Sequence, residues 1–338
     1  MRDRPPPKRP PKPLRSRLVD PPPAGPSPET GAAGSAHVMS VVAGTYHVET
    51  AEGQLLECSL RGRVKQRYEQ VVSVGDLVQI ERLDDGSCRI SELLPRRSAL
   101  SRLGVARRRE QVIVANVDQV AAVASVASPA PDYSMVDRLL ALAELNELEG
   151  LIVLNKIDLS STGEISEDPA TLPPDFAPYL AAGYEVITTS ASNHVGLEAL
   201  RGRLLDRTTV FSGPSGAGKS SLLNALMPGL DLRVGEVGAK KGRGRHTTVA
   251  AALFPFPGGG YVADTPGLQY LALWDVDVNA LSGAFPEFHE LASDCRFADC
   301  RHRTEPRCRV LEAVASGLVD ARRHESYLAL LSEAEEGR

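Results

Sequence analysis

Cysteine is scarce in this chain, with five among 338 residues. Cys58 and Cys88 lie well apart and read as small buried hydrophobes. Cys295, Cys300 and Cys308 cluster late in the chain. Such usage argues against a disulfide framework and predicts a reducing, cytoplasmic setting with one metal site. Long apolar runs are missing as well. No stretch approaches the roughly 18 apolar residues of a membrane-spanning helix, so no membrane association is expected. The opening MRDRPPPKRPPKPLRSR is basic but has no apolar core, so no secretory signal is expected. Excess charge of one sign is also lacking, since the formal net charge is only −5. Bulk charge therefore does not point to a nucleic-acid partner. The imbalance is local: residues 1–19 hold seven Arg or Lys against one Asp, a net of +6, leaving −11 for the remainder.

What is present is an ordinary globular composition, 42% hydrophobic and 24% charged, in a chain long enough for two or three domains. Residues 1–37, rich in Pro, Arg, Ala and Gly, cannot bury enough apolar surface to order themselves and read as a disordered basic tail. Residues 38–98 change rhythm. HVMSVVAGTYHVET, QLLECSLRG, DLVQIERL and SCRISELL alternate as short strands, punctuated by Gly44, Gly53, Gly62, Gly75 and the Asp84–Gly86 turn. Four or five such strands fit a small barrel of the OB type, with an SH3-like barrel as the alternative. The next stretch, PRRSALSRLGVARRRE, has six Arg between Arg96 and Arg109 and no acid among them. It reads as a solvated linker or as a contact for an RNA backbone.

From residue 110 to about 275 strands and helices alternate, which predicts a mostly parallel sheet flanked by helices, an α/β architecture. QVIVANVDQVAAVAS supplies apolar strands. Ser134 with Asp137 suggests a capping box for a helix that Gly150 would end. LIVLN, YEVITTS, TTVFSG and GYVAD follow as strands, with helices at Leu197–Leu205 and over KSSLLNALM. Residues 276–338 turn helical and polar around the late cysteines.

Gly213, Pro214, Ser215, Gly216, Ala217, Gly218, Lys219 and Ser220 match G-x-x-x-x-G-K-[ST] between a strand and a helix, with Ser221 continuing the run. That is a phosphate-binding loop. Its amides and the helix N-terminus attract phosphate oxygens, Lys219 neutralises the β and γ phosphates, and Ser220 is suited to Mg²⁺. Asn155, Lys156 and Asp158 form N-K-x-D at the end of a buried strand. The Asp158 carboxylate accepts from paired N–H donors, which guanine offers at N1 and its exocyclic amine and adenine does not. Asn155 suits the other edge of the base, and the Lys156 stem the ring face. Ser190 and Ala191, after the next strand, are placed to offer a backbone N–H to the guanine oxygen. Asp264 and Gly267 belong to a D-x-x-G turn, where Asp264 holds Mg²⁺ through water and Gly267 senses the γ-phosphate. The basic, Gly-rich AKKGRGRHTTVAA between these motifs carries Thr247 and Thr248, candidates for completing the Mg²⁺ shell.

The base-reading motif precedes the phosphate loop here. In a doubly wound sheet the ligand loops gather at the carboxyl ends of the strands, so chain order can be permuted while the site survives. The motifs NKID, SA, GPSGAGKSSLLN, GRGRHTT and DTPG, in this order, resemble the circularly permuted GTPases of the RsgA/YjeQ family over about residues 38–335. The resemblance implies a barrel, a permuted P-loop GTPase and a zinc segment. It also implies GTP hydrolysis stimulated by the 30S ribosomal subunit, and a role in late small-subunit maturation in contact with 16S rRNA. The tail and the Pro-rich excursion at 160–180 fall outside it.

Leu268 stands directly after D-x-x-G, where many switch GTPases place the Gln that orients water. His246 is the candidate replacement, as the resemblance also suggests. Cys295, Cys300, His302 and Cys308 give C-x4-C-x-H-x5-C, a donor set for closed tetrahedral Zn²⁺. His289 is a weaker ligand candidate. Arg296, Arg301, Arg303, Arg307 and Arg309 would make this a basic knob. A nucleotide-dependent rRNA scaffold and an ATPase are the competing readings, and a monomer is the default expectation.

Overall fold

The computed structural model describes residues 34–60, 72–104, 109–160, 172–230, 251–265 and 277–336. Strands β1 (Ser35–Val42), β2 (Thr45–Thr50), β3 (Leu55–Leu60), β4 (Leu77–Arg82) and β5 (Cys88–Leu93) form a barrel. They neighbour in the order β1-β2-β3-β5-β4, and β1 also pairs with β4, which closes the ring. This five-stranded closed arrangement, with β3 and β5 parallel, is that of an OB-type barrel. HVMSVVAGTYHVET is two strands rather than one. Ala43 and Gly44, both at positive φ, make the tight turn between them. Ser35–His37, assigned above to the tail, pair with Leu77–Gln79 and belong to the barrel.

Cys58 and Cys88 are buried as expected but are not separate hydrophobes. The register of parallel β3 and β5 sets them opposite each other, and they form a disulfide. The expectation of no disulfide is corrected at this pair.

The arginine-rich stretch is not a linker. Ala99–Gly104 (β6) and Arg109–Ala115 (β7) form an antiparallel pair. Two of its arginines are already committed to acids. Arg96 grips fully buried Asp76 through Nε and Nη2 at 2.6 and 2.7 Å, and Arg97 pairs with Asp118. Gly75 sits at φ 85° with its backbone so close to Ala115 that an added Cβ would lie 2.2 Å from the carbonyl oxygen. Only glycine permits this seam between the barrel and the hairpin.

Strands β8 (Gln119–Ser125), β9 (Glu149–Asn155), β10 (Glu185–Thr188), β11 (Thr208–Ser212), β12 (Ala252–Pro255) and β13 (Tyr261–Asp264) build the main sheet in the order β10-β9-β8-β11-β13-β12. All neighbours are parallel except β12 with β13. Every residue of β8 is buried, as expected for a parallel strand covered on both faces. Helices α1 (Tyr133–Leu145), α2 (Ala177–Ala181), α3 (Leu197–Leu204) and α4 (Lys219–Leu226) flank the sheet. Helices α5 (His289–Ser293), α6 (Arg309–Ser316) and α7 (Ala321–Glu336) follow it.

The predicted capping box is not formed. Asp132 caps α1 by accepting from the Met135 amide at 3.0 Å, while Asp137 is fully buried in an ion pair. Nor does Gly150 end the helix. The helix stops at Leu145, and Gly150 lies within β9, where a Cβ would meet Leu140 Cδ2 at 2.9 Å.

Candidate functional site

Parallel register brings the separate motifs to one edge of the sheet. Ser125 pairs with Asn155 across β8 and β9, Leu154 with Thr188 across β9 and β10, and Phe211 with Asp264 across β11 and β13. The carboxyl ends of four strands therefore carry N-K-x-D, Ser190–Ala191, the phosphate loop and Asp264 in one crevice. This is the expected place for a ligand in such a sheet.

The Gly213–Ser220 loop and N-K-I-D touch. Buried Asn155 donates from Nδ2 to the Ala217 carbonyl at 2.9 Å, and its Oδ1 accepts from Thr189 Oγ1 at 3.2 Å and from the Ala191 amide at 3.4 Å. Asn155 thus ties three motifs together. Gly218, at φ 94°, is shaped by this contact, because a Cβ there would lie 2.2 Å from Asn155 Nδ2. Gly213 approaches β8 as closely, with Val123 O 2.1 Å from where a Cβ would stand. Ser215 and Gly216 are exposed, which leaves the mouth of the loop open, while Ala217 and Ser220 are buried.

Lys219 opens α4 and turns back into the loop, donating to the carbonyls of Gly213 and Pro214 at 2.7 and 2.9 Å. Burial lowers its pKa and the Asp264 carboxylate opposes that shift. Burial in turn pushes Asp264 up and Lys219 draws it down. Ammonium and carboxylate therefore share a partly dry pocket, where each is suited to a partner of opposite charge. Ser190 donates to Asp158 Oδ1 at 2.5 Å and lies 3.1 Å from Ser192, which orients the half-buried carboxylate. Lys156 adopts a left-handed conformation, φ 62°, and its ammonium donates to the Ser128 carbonyl. His246, Thr247, Thr248 and Gly267 lie outside the described residues.

Sequence reasoning missed the stretch after β8. Val126 N donates to Asn155 O at 3.1 Å, and Pro129 packs beside Gly216, where a Cβ would meet its Cδ at 3.4 Å. The signal was the Pro-rich SVASPAPD between a buried strand and a helix.

Cys295, Cys300, His302 and Cys308 converge, with ligand atoms all within 4.8 Å of one another. His302 Nδ1 lies 3.2 Å from Cys308 Sγ and 3.7 Å from Cys295 Sγ. Burial lowers the His302 pKa and so favours the neutral imidazole a metal requires. Burial, with crowding by Cys308 and Cys295, pushes the Cys300 thiol up to about 12. Clustered thiolates need a cation between them, and three sulfurs with one imidazole fit Zn²⁺. Helix α7 supports the cluster: His324 Nε2 bonds the His302 carbonyl at 2.8 Å and Tyr327 donates to the Arg301 carbonyl at 2.9 Å.

His289 is not a member, since its Nε2 bonds the Gly283 carbonyl at 2.7 Å. The basic knob is partly neutralised. Arg301 and Arg303 both reach Glu335, at 2.6 and 2.8 Å, and Arg309 pairs with Glu312 at 2.5 Å.

Comparison with known proteins agrees with this geometry. A family model described as RsgA GTPase matches residues 93–274, and one described as RsgA N-terminal domain matches residues 36–90. The small ribosomal subunit biogenesis GTPase RsgA of Gemmatimonas aurantiaca is 46% identical over 301 residues, covering 88% of this chain and 96% of that protein. The protein of the same name from Moorella thermoacetica is 43% identical over 290 residues, covering 86% and 93%. Among solved structures, YjeQ from Thermotoga maritima aligns with a TM-score of 0.71 at 36% identity, over 90% of this chain and 99% of that one. YloQ, titled a circularly permuted GTPase, aligns with a TM-score of 0.69 at 28% identity, over 93% and 99%.

Proposed function

Because this chain belongs to the RsgA GTPase family and is thereby a GTP hydrolase, we propose that its turnover serves late maturation of the small ribosomal subunit. In this reading the 30S subunit stimulates hydrolysis, and the nucleotide state controls binding and release. The relatives' names carry the ribosomal part of the reading. The observation that supports a single guanine site is the bond from Asn155 to the phosphate loop.

Membership of a GTPase family implies GTP, GDP and Mg²⁺. Asp158 accepts the two N–H donors of guanine, Asn155 and the Ala191 region address its other edge, and Lys156 lies along the ring. Amides of Gly213 and of Ser215–Ser221 cradle the phosphates, and Lys219 leaves its own loop's carbonyls to neutralise them. Ser220 and Asp264 would hold Mg²⁺, which neutralises phosphate charge when bound, with Thr247 or Thr248 as a further ligand. Gly267 senses the γ-phosphate. His246 orients the attacking water, since Leu268 has no hydrogen-bonding group. A site lacking Gln at that position turns over slowly by itself, and a ribosomal partner supplies the ordering.

Residues 38–98 and 276–338 contact 16S rRNA on either side of a GTPase domain at 110–275. Cys295, Cys300, His302 and Cys308 hold a structural Zn²⁺ that stabilises the last of these domains. The protein acts as a cytoplasmic monomer, away from membranes. GTP turnover measured with and without purified 30S subunits tests the proposal. Strong stimulation is expected, and equal rates would favour a scaffold in which hydrolysis is incidental.

A further inference from the structure

The segment between β8 and α1 joins the nucleotide crevice to the far end of the chain. At its start, Val126 N donates to Asn155 O, Ser125 Oγ donates to Pro129 O at 2.7 Å, and Ser128 O accepts from Lys156. Pro129 packs beside Gly216 of the phosphate loop, which stays exposed. Three residues later Asp132 caps α1. One short loop therefore braces the base reader and the phosphate loop together, and α1 carries that loop.

Helix α1 is in turn clamped by α7. Asp137 and Arg323 are 0% and 1% exposed and bonded at 2.7 Å. The same guanidinium donates to Glu287 at 2.7 and 3.0 Å and lies over the rings of Phe285, Tyr179 and Tyr184. Next to it, Arg138 makes a two-pronged pair with Glu333 at 2.8 and 2.5 Å, and Arg322 stacks over Tyr133 at 3.8 Å. A buried bidentate arginine permits little sliding, because movement leaves charges unpaired in a dry environment. Helix α1 thus has one seat, set by the C-terminal helix, and the loop at its head has one place beside Lys156 and Gly216.

We infer that Asp137, Arg138 and Arg323 are positioning residues for nucleotide retention. Helix α7 seats α1, and α1 holds the Ser128–Pro129 loop against the two walls of the guanine-nucleotide site. Loosening the clamp frees Lys156 and the phosphate loop and speeds nucleotide release, although no clamp residue touches nucleotide. The inference rests on the nucleotide reading above.

The test is the dissociation rate of a fluorescent GDP from the full chain, with amide exchange of residues 126–132 followed in parallel. Arg138→Glu and Asp137→Asn are expected to speed release about two- to thirtyfold, the range for coupling through contiguous contacts, and to raise exchange in that loop. The reversed pair Arg138→Glu with Glu333→Arg should restore both. Val48→Ala, in the core of the barrel, lowers overall stability without touching the clamp and should leave release unchanged. Arg138→Glu releasing at the wild-type rate, or Val48→Ala speeding release equally, overturns the inference. If Asp137→Asn does not fold, the Arg138–Glu333 pair, with both side chains 25% exposed, decides alone. Wild-type protein that fails to retain GDP would sink the nucleotide reading and this inference with it. Normal retention with unresponsive variants sinks only the inference.

Discussion

The side-chain amide of Asn155 lies 2.9 Å from the backbone carbonyl of Ala217, although 62 residues separate them in the chain. The bond makes N-K-I-D and the Gly213–Ser220 loop one object, and Gly218 is what allows it. Gly218→Ala would place a methyl 2.2 Å from the Asn155 amide at a φ of 94°. The backbone term alone costs about 1–2 kcal/mol. Guanine-nucleotide affinity measured by titration should fall roughly tenfold or more, and wild-type affinity would show that the contact is dispensable.

Lys219→Ala removes the charge proposed to face the phosphates. Loss of charge-assisted hydrogen bonds worth about 2–3 kcal/mol corresponds to roughly a hundredfold weaker binding. His246→Ala should behave differently. GDP binding should persist, while partner-stimulated turnover falls by on the order of a hundredfold, the usual contribution of a positioned proton-accepting group. Unchanged stimulated turnover would remove His246 from the chemistry.

Zinc content offers a third check. Purified protein should carry one equivalent, lost in Cys300→Ser, and a chelator should lower the melting temperature of the wild type but not of that variant. Stoichiometric zinc retained by Cys300→Ser would contradict the ligand set.

Asp118 gives a pH test. Burial pushes its carboxyl up, but Arg97, the Thr208 amide and Arg207 together outweigh that and hold it below the ordinary value of 3.8. A depressed acid contributes stability that is full above its unfolded pKa and is lost as pH falls through the folded one. Asp118→Asn should therefore cost about 1–2 kcal/mol near neutrality, and the gap to wild type should close below the ordinary Asp range. A gap that widens in acid would show that the sign is wrong.

The convergence of the described nucleotide motifs was legible because each motif is short, local and chemically constrained. G-x-x-x-x-G-K-S needs only a strand before it and a helix after it, and both are there. Its union with N-K-I-D followed from a rule about strand ends, since register rather than chain order decides which loops meet. Long-range pairings were opaque. Cys58 and Cys88 are separated by 30 residues, and only the parallel register of β3 on β5 makes them partners. Asp137 read as a cap because Ser134 precedes it by three residues. Its partner Arg323 lies 186 positions away, and no local pattern signals that. Arg96 and Arg97 looked free because the acids they grip, Asp76 and Asp118, sit outside the basic run. A count of arginines along the chain overstates the charge left for a partner.

The most direct test of one permuted guanine site is base selectivity. In the proposed site Asp158 accepts where guanine donates, so Asp158→Asn, whose amide can donate instead, should lose guanosine diphosphate and gain xanthosine diphosphate, which has a carbonyl in place of the amine. Competitive titration against a fluorescent nucleotide reads both at once. The account predicts that preference inverts in the variant while Lys219→Ala weakens binding of either base by roughly a hundredfold. Unchanged preference for guanine in Asp158→Asn would mean that N-K-I-D and the phosphate loop do not serve the same ligand.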